Sequence, residues 1–358
     1  MPNVFAPTTG LPELDGVLQG VRPGDNIVWQ FDALEPYRAL VEPYAAAARA
    51  ARLRLIYFRF ADHLPLLEDA AIHSPDPTAG FEAFVDQVHS VIESAGRETL
   101  YVFDCLSYLA EVWRSPRLLG NFFRLTCPRL LDLDTVTYFG VYRHRHDRSA
   151  IGVITATTQF LIDVFTCRDK LYLRPVKVQH RSAAAMDLIH AWEPGDRFRP
   201  VRDSATVSEI LSSSNAPWLE HSADTDSWHG PFAEAKALVA ARRDEHPGAA
   251  EPECRARLSQ MIFPDDPAMR PLVDEYLRLE DLLGVRGRMI GNGTIGGKAL
   301  GMLLARAVLR RDAPHLDGRL EAHDSFYLGT EVFDTFLVHN GLWWIRRRQR
   351  DAQRFLDE

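Results

Sequence analysis

The sequence predicts an α/β fold: a mostly parallel sheet with helices on both faces over residues 1–202, a connector with one helix over 203–255, and a partial α+β segment over 256–358. Three observations predict it. Short, near-continuous apolar runs alternate with longer stretches of helical period, as in strands covered on both faces. The texture then turns polar and rich in turn residues, as connectors do. Beyond it helical periodicity returns around one glycine-rich loop. A length of 358 residues suits two or three domains, and a hydrophobic content of 46% lets each bury a core.

The elements follow in order. Residues 26–30 (NIVWQ) come after the turn signal Arg22-Pro23-Gly24-Asp25 and form the first strand. An alanine-rich helix is predicted over 37–52, a strand over 53–58 and a helix over 80–95. A third strand, 99–103, ends at Asp104. A helix over 118–131, a strand over 135–142 and a late, more exposed strand over 170–178 complete this part. Residues 212–217, 222–230, 244–248 and 251–253 are turn-rich, with a helix over 232–243 among them. An amphipathic helix is predicted over 272–283. After the glycine loop, Leu300, Leu303, Leu304, Ala307 and Val308 recur at helical spacing on one face. Residues 325–328 read as a strand, and the last residues as helix.

Composition narrows the function classes. A net charge of −8 argues against nucleic acid as the main partner, because a phosphate backbone needs clustered Lys and Arg. The one basic run, 346–350, is short and reads as a solvated helix face. Cys105, Cys127, Cys167 and Cys254 form no CxxC pair, so no structural zinc site is expected; Cys105 and Cys127 read as small buried hydrophobes. No secretory leader and no apolar run long enough to span a membrane are apparent, so a cytoplasmic protein is expected, with no membrane partner.

The loop 291–301, GNGTIGGKALG, carries the chemistry. Gly291, Gly293 and Gly296 satisfy G-x-G-x-x-G literally, but the dinucleotide fingerprint also needs a preceding strand and an acidic residue about 20 positions on. Only 288–290 could supply the strand; position 313 is alanine, and the nearest acids read as lying in turns. A Walker A loop fails at Asn292, where glycine is required, and at Ala299, where Ser or Thr would hold magnesium. Two readings stay open on composition. Either Gly296, Gly297 and Lys298 at a helix start bind an anion through free N–H groups and a point charge, or the glycines only allow a tight turn and close packing.

Two resemblances bear on this choice. Residues 288–302, RMIGNGTIGGKALGM, resemble the start of the ATP-grasp domain of phosphoenolpyruvate synthase and pyruvate phosphate dikinase, and residues 324–333, DSFYLGTEVF, fit that family's next strand and turn. The resemblance implies an ATP phosphate site at Lys298, with Gly296, Gly297 and Gly293 in the same loop, and magnesium held by ligands outside this chain. It also implies further domains after Glu358, namely the rest of the ATP-grasp fold, a phosphohistidine domain and a pyruvate domain, so no turnover is expected from this chain alone.

Thr9-Gly10-Leu11-Pro12-Glu13-Leu14-Asp15-Gly16 and Arg22-Pro23-Gly24-Asp25 resemble the opening of a RecA-type ATPase of the KaiC and RadA kind. There the next strand should run into a P-loop. Here Phe31-Asp32-Ala33-Leu34-Glu35 follows, with no glycine or lysine, and Asp32 and Glu35 should repel a triphosphate. Asp104 stands where a Walker B acid would, and is expected instead to cap a helix or to hydrogen-bond at a strand end. The expectation is a RecA-like domain without ordinary ATP hydrolysis.

A different class, a non-catalytic regulatory or assembly module that forms homo-oligomers through the RecA-like part, is the alternative. His144-Arg145-His146 lacks a third ligand for a metal and reads as an exposed loop; Trp343-Trp344 reads as packing.

Overall fold

The computed structural model describes residues 5–181, 187–212, 228–241, 250–320 and 325–349. It divides the chain into two units, Met1–Asp224 and Thr225–Glu358. The turn-rich residues predicted at 213–217, 222–227 and 244–248, together with Asp324, Arg350 and the chain end, lie outside the described residues.

The first unit contains, in order, α1 (Pro12–Leu18), β1 (Asn26–Phe31), α2 (Leu34–Ala50), β2 (Leu55–Phe58), β3 (Ala71–His73), α3 (Phe81–Ala95), β4 (Leu100–Cys105), α4 (Ser107–Trp113), α5 (Pro116–Asp132), β5 (Val136–Tyr142), α6 (Arg148–Thr157), β6 (Phe160–Cys167), β7 (Lys170–Val178), β8 (His190–Glu193), β9 (Arg197–Pro200) and α7 (Ser204–Ser212). The strands form one nine-stranded sheet in the order β3-β2-β4-β5-β1-β6-β7-β8-β9. Pairings from β3 to β6 are parallel, and those from β6 to β9 are antiparallel. The fold is therefore a mixed α/β fold with a mostly parallel sheet.

Period-two alternation sends neighbouring residues of a strand to opposite faces. Tyr138 stacks on Tyr44 of α2, ring centroids 4.0 Å apart, while Phe139 on the other face meets Phe123 of α5 at 5.0 Å. Every residue of β1 is buried, which accounts for the apolar run Ile27-Val28-Trp29 at its centre. The sequence reading placed no strand at β6, whose eight residues pair with both β1 and β7. Asp163 interrupts its apolar run, and pairing with Arg174 on β7, with Arg143 nearby, makes that acid tolerable inside the sheet.

The second unit contains α8 (His229–Ala241), α9 (Glu251–Ile262), α10 (Arg270–Tyr276), α11 (Leu279–Gly287), β10 (Met289–Ile290), α12 (Gly297–Asp312), β11 (Tyr327–Leu328), α13 (Thr330–His339) and α14 (Trp343–Gln349). Its core gathers Trp228 and Phe232 with Leu258, Ile262, Leu279 and Leu282, together with Ile295, Leu300 and Tyr327 from around the glycine loop. Three expectations change here. Residues 251–253 open α9, with Pro252 in its first turn, where a missing N–H costs nothing. The single helix expected over 272–283 is two, because Arg278 is extended (φ −94°, ψ 169°) and its N–H donates to the Asp281 carboxylate at 2.9 Å, starting α11 afresh. Helix α8 contributes Phe232 and Ala235 to the second unit's core.

Candidate functional site

In an open parallel sheet, ligands gather outside the carboxyl ends of the strands where the strand order reverses. In the first unit that place is the end of β1, which lies between β5 and β6. The link from β1 to α2 is only Asp32-Ala33. Two residues cannot form the glycine cradle that a P-loop builds over five or more. Tyr37, in the first turn of α2, fills the space instead. Its ring stacks on Phe31 at 5.0 Å, its hydroxyl donates to the Phe103 carbonyl at 2.8 Å, and a Cβ on Gly140 of β5 would stand 2.6 Å from the ring.

The acids expected to repel a triphosphate have separate fates. Glu35 is exposed. Asp32 is paired, accepting from Arg143 at 3.0 Å, so its charge is largely neutralised. Asp163 accepts from Arg174 at 3.2 Å and also feels Arg143. A chain of alternating charge, Asp32, Arg143, Asp163 and Arg174, thus links the segments just after β1 and β5 to the middle of β6 and β7. Burial pushes Asp163 up to about 6, against the opposing pull of Arg143 and Arg174.

The folded state therefore holds the Asp163 proton more tightly than the unfolded chain does. That contribution to stability is complete below pH 3.8 and is lost as pH rises through about 6. Relative to Asp163→Asn, the wild type should lose on the order of 2 kcal/mol between pH 4 and pH 7, read as the difference between urea unfolding curves. A pH-independent difference would overturn this.

Asp104 is a hydrogen-bonded acid, not a helix cap. A bulge in the β4–β5 ladder leaves it without a β5 partner. Its carboxylate is fully buried and accepts from the Tyr57 hydroxyl, from Phe60 N–H at 2.8 Å and from Ala61 N–H at 3.0 Å, with His63 Nε2 at 3.5 Å. Burial raises its pKa, and these donors oppose the rise. It fastens the loop after β2.

The glycine loop of the second unit divides into two parts. Gly291 (φ +75°) and Gly293 (φ +90°) need glycine for conformation and for space: added Cβ atoms would lie 2.4 Å from Val332 Cγ2 and 2.4 Å from Thr330 Oγ1. Gly293 thus faces the start of α13. Gly296 and Gly297 differ in both respects. Neither has a positive φ, and nothing lies within 4 Å of a Cβ at either. Gly296 is the N-cap of α12, and no side chain caps that helix. The N–H groups of Gly297 and Lys298 have no acceptor among the described residues, and both residues are exposed. Ile295 N–H donates to Ile262 O at 2.8 Å and Thr330 N–H to Thr294 O at 3.0 Å, which hold the loop from two sides. The result is an open, uncapped helix start carrying one ammonium group, a geometry suited to an anion.

No family model matches the chain, and no curated protein matches it.

Among the described residues, no group of three or more His, Cys, Asp or Glu could hold a metal ion, and no helix is long and apolar enough to cross a membrane. The loop's residues fit phosphate but offer no carboxylate for magnesium. All four cysteines are buried and free. His144 and His146 point to different partners, Arg143 and Ser107. The expected exposed loop is therefore only half right. His146 Nε2 lies 2.7 Å from Ser107 Oγ, which also accepts from Tyr142 N–H at 2.8 Å, and burial pulls the imidazole down to about 4, leaving it neutral at pH 7.

Sequence reading missed this pair because 39 residues separate its members. With His146 Nδ1 unbonded among the described residues and Ser107 buried, it lacks the orienting acid and the access a hydrolase needs; it anchors the turn after β5. Trp343 is buried, in keeping with a packing role.

Proposed function

We propose that the second unit carries one half of an ATP phosphate site of the phosphoenolpyruvate synthase and pyruvate phosphate dikinase type, and that the first unit is a RecA-like module without ATP hydrolysis. The observation that carries the first part is the contrast within one loop. Gly291 and Gly293 are accounted for by turns and packing, whereas Gly296 and Gly297 are not, and these two stand beside Lys298 at an uncapped helix start. Glycines that no internal demand explains suit a backbone that a ligand approaches closely. Phosphoryl transfer would further need magnesium, its carboxylates and an arginine, and these are proposed to come from outside this chain. The second part is supported by the parallel strands around β1, joined to α2 through a link too short to cradle phosphate.

Lys298→Ala should weaken ATP binding by about tenfold or more, the loss of one charge-assisted phosphate contact, and leave the unfolding transition in place because Lys298 is exposed. In the wild type, ATP should protect Lys298 from amine-directed labelling. Equal labelling with and without ATP would remove the phosphate reading. A specific observation keeps the assembly-module reading alongside it: at the end of β1 Tyr37 is bonded to the Phe103 carbonyl and Asp32 is paired with Arg143, and the two-residue link to α2 is too short for a phosphate cradle.

A further inference from the structure

The carbonyl groups around the glycine loop are held in two ways. Those of Ile290, Asn292 and Thr294 accept from the backbone N–H groups of Gly329 at 3.1 Å, Glu331 at 3.3 Å and Thr330 at 3.0 Å, which ties them to the start of α13. The Gly291 carbonyl, between the first two, is held by a side chain. It accepts from Arg286 Nη1 at 3.1 Å, in the last turn of α11.

Arg286 is itself held by rings. Its guanidinium carbon lies 5.1 Å from the ring centroid of Trp228 and 5.6 Å from that of Phe232. The two rings are buried at the head of α8 and stack on each other, 5.7 Å apart with 11° between their planes. A guanidinium suits this place, because its flat face can lie against aromatic rings while its edge donates to a carbonyl. A lysine ammonium brings the charge without the flat face.

The loop needs such a hold. Gly291 and Gly293 both have positive φ, and glycine restrains its own backbone least of all residues. An anion bound by the N–H groups of Gly297 and Lys298 gains most when the loop already has its bound shape, since ordering on binding costs affinity. We propose that Arg286 is a positioning residue for the anion loop, acting through the Gly291 carbonyl, and that Trp228 and Phe232 hold it there. Its consequence for ligand binding rests on the phosphate reading of Gly296, Gly297 and Lys298, whereas its effect on the loop does not.

Amide hydrogen exchange of the full chain tests the loop without ligand. The N–H groups of Thr294 and Ile295 donate to Thr330 Oγ1 at 3.2 Å and to Ile262 O at 2.8 Å, so their exchange reports opening of the loop. Arg286→Met keeps an unbranched stem and loses the donor. It should speed exchange at both amides by about tenfold, the worth of one charged hydrogen bond, and leave the middle of α9 and α12 unchanged. Titration with ATP should show affinity lower by about threefold or more, as the share of chains holding the loop ready falls. Arg286→Lys should recover less than half of either loss. Unchanged exchange at Thr294 and Ile295 in Arg286→Met would overturn the proposal. So would an equal rise in α9 and α12, the mark of general loosening, or full recovery in Arg286→Lys, which would make charge alone sufficient. Unchanged ATP affinity in a variant whose loop opens would overturn it as well. If the wild type binds no ATP while the exchange pattern is as expected, the phosphate reading falls and the hold of Arg286 on the loop stands.

Discussion

Asp104→Ala is expected to destabilise the first unit by about 3–5 kcal/mol, the cost of removing one member of a buried, charge-assisted network. Three donors lose their acceptor together: the Tyr57 hydroxyl and the N–H groups of Phe60 and Ala61. Tyr57 is itself buried and its hydroxyl also accepts from Leu66 N–H at 3.2 Å, so the loss extends along the connection from β2 to β3. Each stranded donor costs about 1–3 kcal/mol. Urea unfolding followed by tryptophan fluorescence should show the drop, with Trp29 reporting from the centre of the sheet. The same variant should bind ATP as the wild type does. A small stability change coupled to lost nucleotide binding would instead return Asp104 to a magnesium-orienting role.

Gly329→Ala is expected to cost about 2–4 kcal/mol in the second unit, in the upper range for a single substitution that meets fixed backbone. Its Cβ would stand 2.0 Å from the Asn292 carbonyl oxygen and 2.7 Å from the carbonyl carbon. Neither atom belongs to a flexible side chain, so relief requires shifting the 291–295 loop away from the start of α13. That movement would break Gly329 N–H to Ile290 O at 3.1 Å and strain the Thr330–Thr294 contact. Because the loop leads directly into Gly296-Gly297-Lys298, ATP affinity should fall with stability. Gly297→Ala offers the contrast. It meets nothing within 4 Å and occupies the first position of a helix, so stability should hold or rise by up to about 1 kcal/mol. Any loss of ATP affinity there would come from the ligand side alone. Thermal unfolding with and without ATP separates the two cases.

The limits of sequence reading can be located residue by residue. β1, β2, β4 and β5 are legible because burial on both faces forces near-continuous apolar runs, with their polar residues mostly toward the strand ends. β6 hides behind Asp163, and β8 and β9 are four-residue strands whose partial exposure leaves no apolar run. Helices α10 and α11 merge in the sequence because the break at Arg278 is made by backbone geometry and a carboxylate three residues later, not by Gly or Pro. At the candidate sites, Asp32 read as a bare acid because Arg143, which pairs with it, lies 111 residues away.

The sequence by itself determined the α/β class, the missing P-loop after β1, and the glycine-lysine loop at the head of α12, since each is written in residues close together in the chain. Only the tertiary structure decided which glycines of that loop are claimed by packing and which are open, because the contacts that claim them come from Thr330 and Val332, far along the chain. It likewise decided that Asp104 and Asp32 are bonded within the fold. Proximity through folding fixes the surroundings of a charge or a missing Cβ, and the linear order of residues does not carry that proximity.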